Sequence, residues 1–233
     1  MLLKNRHGSF YASIIAPPSP ATYVAPSCSL GGERLARMLH TWTTKMASFS
    51  AALLVGGQSK RMGRDKALLE VSSEGRLLWQ QQLDVLRQLG GEELFWSGPA
   101  RPNFPTDLRI VADTVHNAGS LAGISACLNL LRSDLLVVLA IDLTQMTALF
   151  LRRLLAACTS HCGAVMTNGS YFEPMAAIYP KAMRTLAATH LAQGRYALQD
   201  LLQEAQSKAM IHSIPRSEKD RTYFKNANHP GDL

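Results

Sequence analysis

From Gly56 the chain reads Gly56-Gly57-Gln58-Ser59-Lys60-Arg61-Met62-Gly63-Arg64-Asp65-Lys66. Four cations (Lys60, Arg61, Arg64 and Lys66) and one anion (Asp65) fall within seven positions just behind a glycine pair. Glycine lets a backbone approach a ligand closely, and successive N–H groups in such a turn form a concavity for anions. Flexible cations added to that concavity make a site suited to a polyphosphate. A solvated basic loop between a strand and a helix is the plainer alternative. The Walker pattern is absent, since no Gly-Lys-Ser/Thr follows Gly57 at the required spacing.

Two carboxylates stand where they could complete such a site. Asp142 ends the apolar run Leu135-Leu136-Val137-Val138-Leu139-Ala140-Ile141. Mg²⁺ is a hard ion that takes one or two carboxylates and leaves its other positions to water and phosphate oxygens. Asp142 suits that role; the alternative is a cap for a helix starting near Thr147, for which Thr144 is better placed. Asp113 opens Asp113-Thr114-Val115-His116-Asn117-Ala118-Gly119-Ser120-Leu121-Ala122-Gly123-Ile124. There the glycines introduce a helix whose first N–H groups would face an anion. An ordinary strand–loop–helix connection is the other reading, and His116 reads as a loop histidine.

The elements that must position these residues follow from hydrophobic spacing. Residues 51–55 form an apolar run that breaks at the glycines, as a buried strand does. Residues 76–89 are predicted helical, with Trp79, Leu83, Leu86 and Leu89 on one face and Gly90-Gly91 as the stop. Short strands are expected at 93–97 and 108–111, then a helix over 121–131 marked by Leu121, Ile124, Leu128 and Leu131. The run 135–141 is apolar on both faces and belongs at the centre of a parallel sheet covered by helices. A helix at 147–157, strands at 164–167 and 175–179, helices at 181–190 and 197–206 and a strand at 210–214 complete the order. Such alternation predicts a three-layer α/β/α, doubly wound, mostly parallel sheet. Ligands of such sheets bind beyond the carboxyl ends of the strands. Asp142, Asp113 and the Gly56–Lys66 loop would then share one edge.

The chain has 233 residues, 47% hydrophobic and 18% charged, enough for one globular domain with a tail. Its net charge of +7 does not point to nucleic acid. Residues 1–45 hold five cations and one anion, leaving 19 of the 24 cations and 16 of the 17 anions to the rest. No basic stripe interleaved with aromatics occurs. No apolar stretch reaches the roughly 18 residues of a membrane span, so no membrane partner is expected. Cys28, Cys127, Cys158 and Cys162 lack zinc-site grouping and read as reduced thiols of a cytoplasmic protein. Residues 1–45 carry Pro/Ser/Ala clusters, no sustained period and a poor match to a signal peptide. We expect the folded domain to be residues 46–233, with Met46 as the natural start. The preceding segment would be an over-extension of the reading frame or a disordered tail.

Taken together, these pieces resemble the molybdenum cofactor guanylyltransferases of the MobA type. The family's opening pattern is met by Leu54, Gly56, Gly57, Ser59, Arg61, Met62, Gly63, Asp65 and Lys66. Gly119-Ser120-Leu121-Ala122-Gly123-Ile124 matches a second segment, with Ser120 in place of proline. Asn226-Ala227-Asn228-His229-Pro230-Gly231-Asp232-Leu233 matches the C-terminal one, without its Thr and Glu.

The resemblance implies a Rossmann-like nucleotidyltransferase fold and a Mg²⁺-dependent enzyme that uses GTP and molybdopterin or its molybdenum-loaded form. Further partners would be other cofactor-biosynthesis proteins and apo-molybdoenzymes. Arg61, Lys66 and Asp142 would be catalytic, with Asp142 the metal ligand. Nucleotide contacts would come from Leu54, Val55, Gly56, Gly57, Ser59, Lys66, Ser97, Asp113, Gly119 and Asp142. Ser97 is the nearest match to a family asparagine, and Asn226 and Asn228 would face the pterin. Asp142-Leu143-Thr144 stands where the family has Asp-x-Pro. Rival readings are a molybdopterin cytidylyltransferase, a sugar-1-phosphate nucleotidyltransferase and a non-catalytic GTP-binding regulatory homologue. Gly56-Gly57 and Asp65-Lys66 favour guanine over cytosine.

Overall fold

The apolar runs at residues 51–55 and 135–141 lie side by side. In the computed structural model, β1 (Phe49–Leu54) and β4 (Leu135–Ala140) are parallel neighbours in register from Phe49↔Leu135 to Leu54↔Ala140. The structure describes residues 47–55, 66–71, 75–99, 105–112, 115 and 117–227. Around this pair run β2 (Leu94–Ser97), β3 (Leu108–Val111), β5 (Gly163–Asn168), β6 (Tyr171–Pro180) and β7 (Ile211–Pro215). The sheet order is β3-β2-β1-β4-β6-β5-β7. The chain winds outward from β1 through β2 to β3, then returns to β4 on the other flank of β1. The topological switch therefore lies between β1 and β4, at whose carboxyl ends such sheets bind ligands.

Five α-helices cover the sheet among the described residues: α1 (Leu78–Arg87), α2 (Ser120–Leu130), α3 (Ala148–Leu155), α4 (Arg184–Ala192) and α5 (Leu198–Ser207). The two faces of each central strand feed separate cores. Ala51 and Leu53 of β1, with Leu135, Val137 and Leu139 of β4, pack under α1 and α3. Ala52, Leu54, Leu136 and Val138 point to the opposite face, under α2, α4 and α5. Every residue of β4 is buried, as expected of a strand with helices on both sides. The three-layer α/β/α reading holds.

The helical stripes hold as well. Trp79, Leu83, Leu86 and Leu89 are buried together, and so are Leu121, Ile124, Leu128 and Leu131. Element ends differ from expectation. The helix expected at 76–89 is Leu78–Arg87, and the one expected at 147–157 is Ala148–Leu155. Thr147, not Thr144, caps the latter: its Oγ1 accepts from the Phe150 N–H at 3.2 Å.

The larger departure is β6, which begins at Tyr171 rather than Met175 and runs antiparallel to both β4 and β5. Asn168 and Tyr171 are paired, leaving only Gly169 and Ser170 to connect β5 to β6. A two-residue link can join only antiparallel strands, so strict alternation fails here. Gly169, at φ +60°, supplies the left-handed residue that the tight turn needs. After β7 a 3₁₀ segment, Glu218–Phe224, leads back over the sheet edge. All described elements belong to one compact unit, Lys45–Leu233.

Candidate active site

Four expected site residues meet at the carboxyl edge of β1, β2 and β4. Leu54 and Ser97 are register partners at the ends of β1 and β2, and both are buried. The Val55 N–H donates to the Ser97 carbonyl at 2.8 Å, and the Leu54 carbonyl accepts from the Ile141 N–H at 3.1 Å. These bonds knit the exits of β2, β1 and β4 together at the point where the glycine loop begins. Asp142, half-buried, stands two residues past the end of β4. The register Leu54↔Ala140 thus places the start of the loop and the Asp142 carboxylate on one edge.

Gly119 lies on the exposed lead-in to α2 at φ +61°, ψ −150°, a combination essentially restricted to glycine. Ser120, where the family has proline, is the first residue of the helix, a position at which proline is favoured but not required. Gly56, Gly57, Ser59, Arg61, Asp113 and Asn228 lie outside the described residues. Lys66 begins a short 3₁₀ turn, Lys66–Leu68, that leads from the loop towards α1.

The C-terminal stretch reaches the same edge. The Ala227 N–H donates to the Asp142 carbonyl at 2.9 Å. Beside that contact, Thr144, Gln145, Thr222, Lys225, Asn226 and Ala227 line a polar cleft of about 320 Å³. So the tertiary structure brings Asn226 to within a few residues of the Asp142 loop. The segment is held there by Asp220, which is buried at the base of the 3₁₀ turn. Its Oδ2 accepts from the Ser217 N–H at 3.0 Å and the Ser217 hydroxyl at 2.6 Å, and its Oδ1 from Arg153. Burial pushes the Asp220 pKa up, but these hydrogen bonds outweigh it and hold the carboxyl below its ordinary value.

Sequence reasoning passed over several of these residues. Gln81 and Gln82 donate to the carbonyls of Thr144 and Leu143, the two residues after Asp142. A signal existed for Gln82: it falls three residues after Trp79 and four before Leu86, a polar residue on the buried stripe of α1. Lys225 and Thr222 carried no signal, because only the return of the chain after β7 makes them neighbours of Asp142.

A divalent cation fits this edge on the chemistry of its donors. Among the described residues no three His, Cys, Asp or Glu side chains cluster. A cation there would rest on Asp142 with phosphate oxygens and water, which is the habit of Mg²⁺. Cys158 and Cys162 are half-buried free thiols at the far end of α3. Burial above all, and then the neighbouring Cys162, pushes the Cys158 thiol up to about 12. No helix in the described residues is long and apolar enough to cross a membrane.

Comparison with known proteins identifies the family. The family profile described as "MobA-like NTP transferase domain" matches residues 51–210. A protein of Opitutus terrae named "Probable molybdenum cofactor guanylyltransferase" is 32% identical over 190 residues, covering 80% of this chain and 93% of its own length. The "Molybdenum cofactor guanylyltransferase" of Xanthomonas euvesicatoria pv. vesicatoria is 30% identical over 188 residues, covering 80% and 93%. In fold, the chain is similar to the crystal structure of molybdopterin-guanine dinucleotide biosynthesis protein A from Archaeoglobus fulgidus. That match has a TM-score of 0.60 and 22% identity, and covers 78% of this chain and 94% of the other. A nucleotidyl transferase from Methanothermobacter thermautotroptrophicus matches with a TM-score of 0.62 and 17% identity, covering 79% and 94%. With the profile spanning most of the chain and these relatives along nearly their full length, the chain belongs to the MobA-like NTP transferase domain family.

Proposed function

We propose that this chain transfers GMP from GTP to the terminal phosphate of molybdopterin, with or without bound molybdenum, giving the guanine dinucleotide cofactor and pyrophosphate. The observation that carries the reading is the register Leu54↔Ala140, which sets the origin of the cationic glycine loop beside Asp142. The guanylyltransferase names of the relatives supply the base and the acceptor.

In this reading an oxygen of the acceptor's terminal phosphate attacks the α-phosphorus of GTP. A new P–O–P link forms, the α–β bridging P–O bond breaks, and pyrophosphate departs. The acceptor is already anionic, so no strong general base is needed. The chain's work is positioning and charge neutralisation. Lys66 and Arg61 meet the triphosphate, and backbone N–H groups at Gly56 and Gly57 hold base and phosphates. Ser59, Ser97, Asp113 and Gly119 complete the nucleotide side. Asp142 holds Mg²⁺, which when bound supplies positive charge at the α-phosphate and the leaving group. The polar cleft beside Asp142, with Asn226 and Lys225 on its wall and Asn228 two residues beyond Asn226, receives the acceptor. Gln145, Thr144 and Thr222 offer it further hydrogen bonds.

The deciding assay incubates the protein with Mg²⁺, molybdopterin and each nucleoside triphosphate, and measures pyrophosphate. Release with GTP alone is expected. Preference for CTP would make the chain a cytidylyltransferase. Turnover of a sugar 1-phosphate in place of molybdopterin would move it to another branch of nucleotidyl transfer. Tight GTP binding without release would make it a regulator. Residues 46–233 constitute the active domain in this proposal. Intact mass of the native protein tests it: a species retaining residues 1–45 would reject Met46 as the start.

A further inference from the structure

Three consecutive carbonyls of the loop that carries Asp142 are each held from outside that loop. The Ala227 N–H donates to Asp142 at 2.9 Å, Gln82 Nε2 to Leu143 at 3.3 Å, and Gln81 Nε2 to Thr144 at 3.1 Å. Gln82 is fully buried in the apolar stripe of α1, and its Oε1 has no hydrogen-bond partner among the described residues. An orphaned buried amide oxygen costs stability, and a leucine would fill this position without that cost. The residue is poorly explained by packing. Its bond to Leu143 is what a leucine could not supply.

Thr144 adds a second, independent observation. It is the second residue of the turn Leu143-Thr144-Gln145-Met146, which is closed by the Met146 N–H donating to the Leu143 carbonyl at 3.0 Å. Proline is favoured at that position because its ring presets φ. Thr144 has no ring, and the restraint on its peptide comes from Gln81 instead.

We propose that Gln81 and Gln82 are positioning residues for Asp142. By fixing the carbonyls of Leu143 and Thr144 to α1, they hold the loop that presents the Asp142 carboxylate to the cation of the bound nucleotide. The proposal rests on the reading of Asp142 as the cation's ligand. It assigns to α1 a share in metal-dependent nucleotide binding.

The test compares the affinity of the full chain for GTP in Mg²⁺ with its affinity in EDTA; the ratio measures the cation's contribution. In the variant Gln81→Leu/Gln82→Leu the ratio should fall by about tenfold or more, the usual scale for losing groups that orient a metal ligand. Affinity in EDTA and thermal stability should be maintained. Gln81→Leu alone, on the half-buried side of the helix, should lower the ratio in part, and adding Thr144→Pro should restore it. This single variant decides the matter if the double variant does not fold. An unchanged ratio in Gln81→Leu overturns the proposal, and so does an equal loss of affinity in Mg²⁺ and EDTA. Asp142→Asn separates the two levels. If it leaves the ratio intact, Asp142 is not the ligand; if it abolishes the ratio while the glutamine variants keep it, only the positioning role falls.

Discussion

Arg153 on α3 donates to Oδ1 of Asp220 at 2.6 Å, and this contact anchors the turn that carries Lys225–Ala227 to the edge of the sheet. The Arg153 guanidinium also lies over the Phe150 ring at 4.6 Å, and Phe150 packs against Tyr223 and Phe224. Asp220→Ala removes the acceptor for Ser217 and should cost about 1–2 kcal/mol, the scale of a lost cap. Arg153 is largely exposed, so Arg153→Ala should cost under about 1 kcal/mol. The folded-state pKa of Asp220 is depressed. Its contribution is therefore complete above the ordinary carboxylate value of about 3.9 and is lost as pH falls through the lower folded value. Urea denaturation of wild type and Asp220→Asn should show a stability gap at pH 7 that narrows below about pH 4. A gap independent of pH would reject the assignment.

Lys66 and Asp142 are the residues on which turnover should depend most. A unit charge pair at about 4 Å is worth roughly 4 kcal/mol at an effective dielectric near 20. Losing one such contact in the transition state costs about 10² to 10³ in rate. Lys66→Ala and Asp142→Ala should each lose at least that much pyrophosphate release while keeping the wild-type circular dichroism spectrum. Near-wild-type turnover in either would remove that residue from the mechanism.

Gly163 opens β5 against β6 so closely that a Cβ there would lie 1.9 Å from the Ile178 carbonyl oxygen and 2.8 Å from Pro180 Cδ. Backbone cannot yield as a flexible side chain can, so Gly163→Ala should cost about 3 kcal/mol or more. Gly169 provides the contrast. Its Cβ would meet nothing, but its φ of +60° is strained for alanine, at about 1–2 kcal/mol. Thermal melts of the two variants should rank in that order; the reverse order would contradict the packing of β5 on β6.

Cys158 should behave as an inert thiol. With its pKa pushed to about 12, its thiolate fraction near neutral pH is negligible. Iodoacetamide labelling followed by peptide mass analysis should find Cys158 modified far more slowly than a free thiol at pH 8. Its rate should still be climbing at pH 10. Rapid labelling at pH 7 would show that the α3–β5 turn opens readily.

Much of the site was legible because the chemistry is local. The glycine loop, the apolar run before it and the aspartate ending the next central strand announce themselves in residue type and spacing. Gln82 could have been found as a polar residue at a core-phased position. Lys225 and Thr222 could not, since nothing local distinguishes them from other surface residues. The second half of β6 was expected, but its first half was missed because Glu173 and Pro174 hide it, and its antiparallel direction because a two-residue link leaves little trace in hydrophobic period.

By itself the sequence determined the layered α/β architecture, since fully apolar runs can be satisfied only between helices. It also led to the expectation that Asp142 and the origin of the glycine loop stand at strand ends. The tertiary structure alone decided which strand ends are neighbours: the Leu54↔Ala140 register at the switch between β1 and β4, and the return of Ala227 to the carbonyl of Asp142. Those contacts join residues 86 and 85 positions apart, and long-range pairing depends on the closure of the whole sheet rather than on local propensity. The loop and the aspartate could be named from the chain and their common edge expected; the register that joins them, and the bonds of Gln81 and Gln82 to the Asp142 loop, came only with the fold.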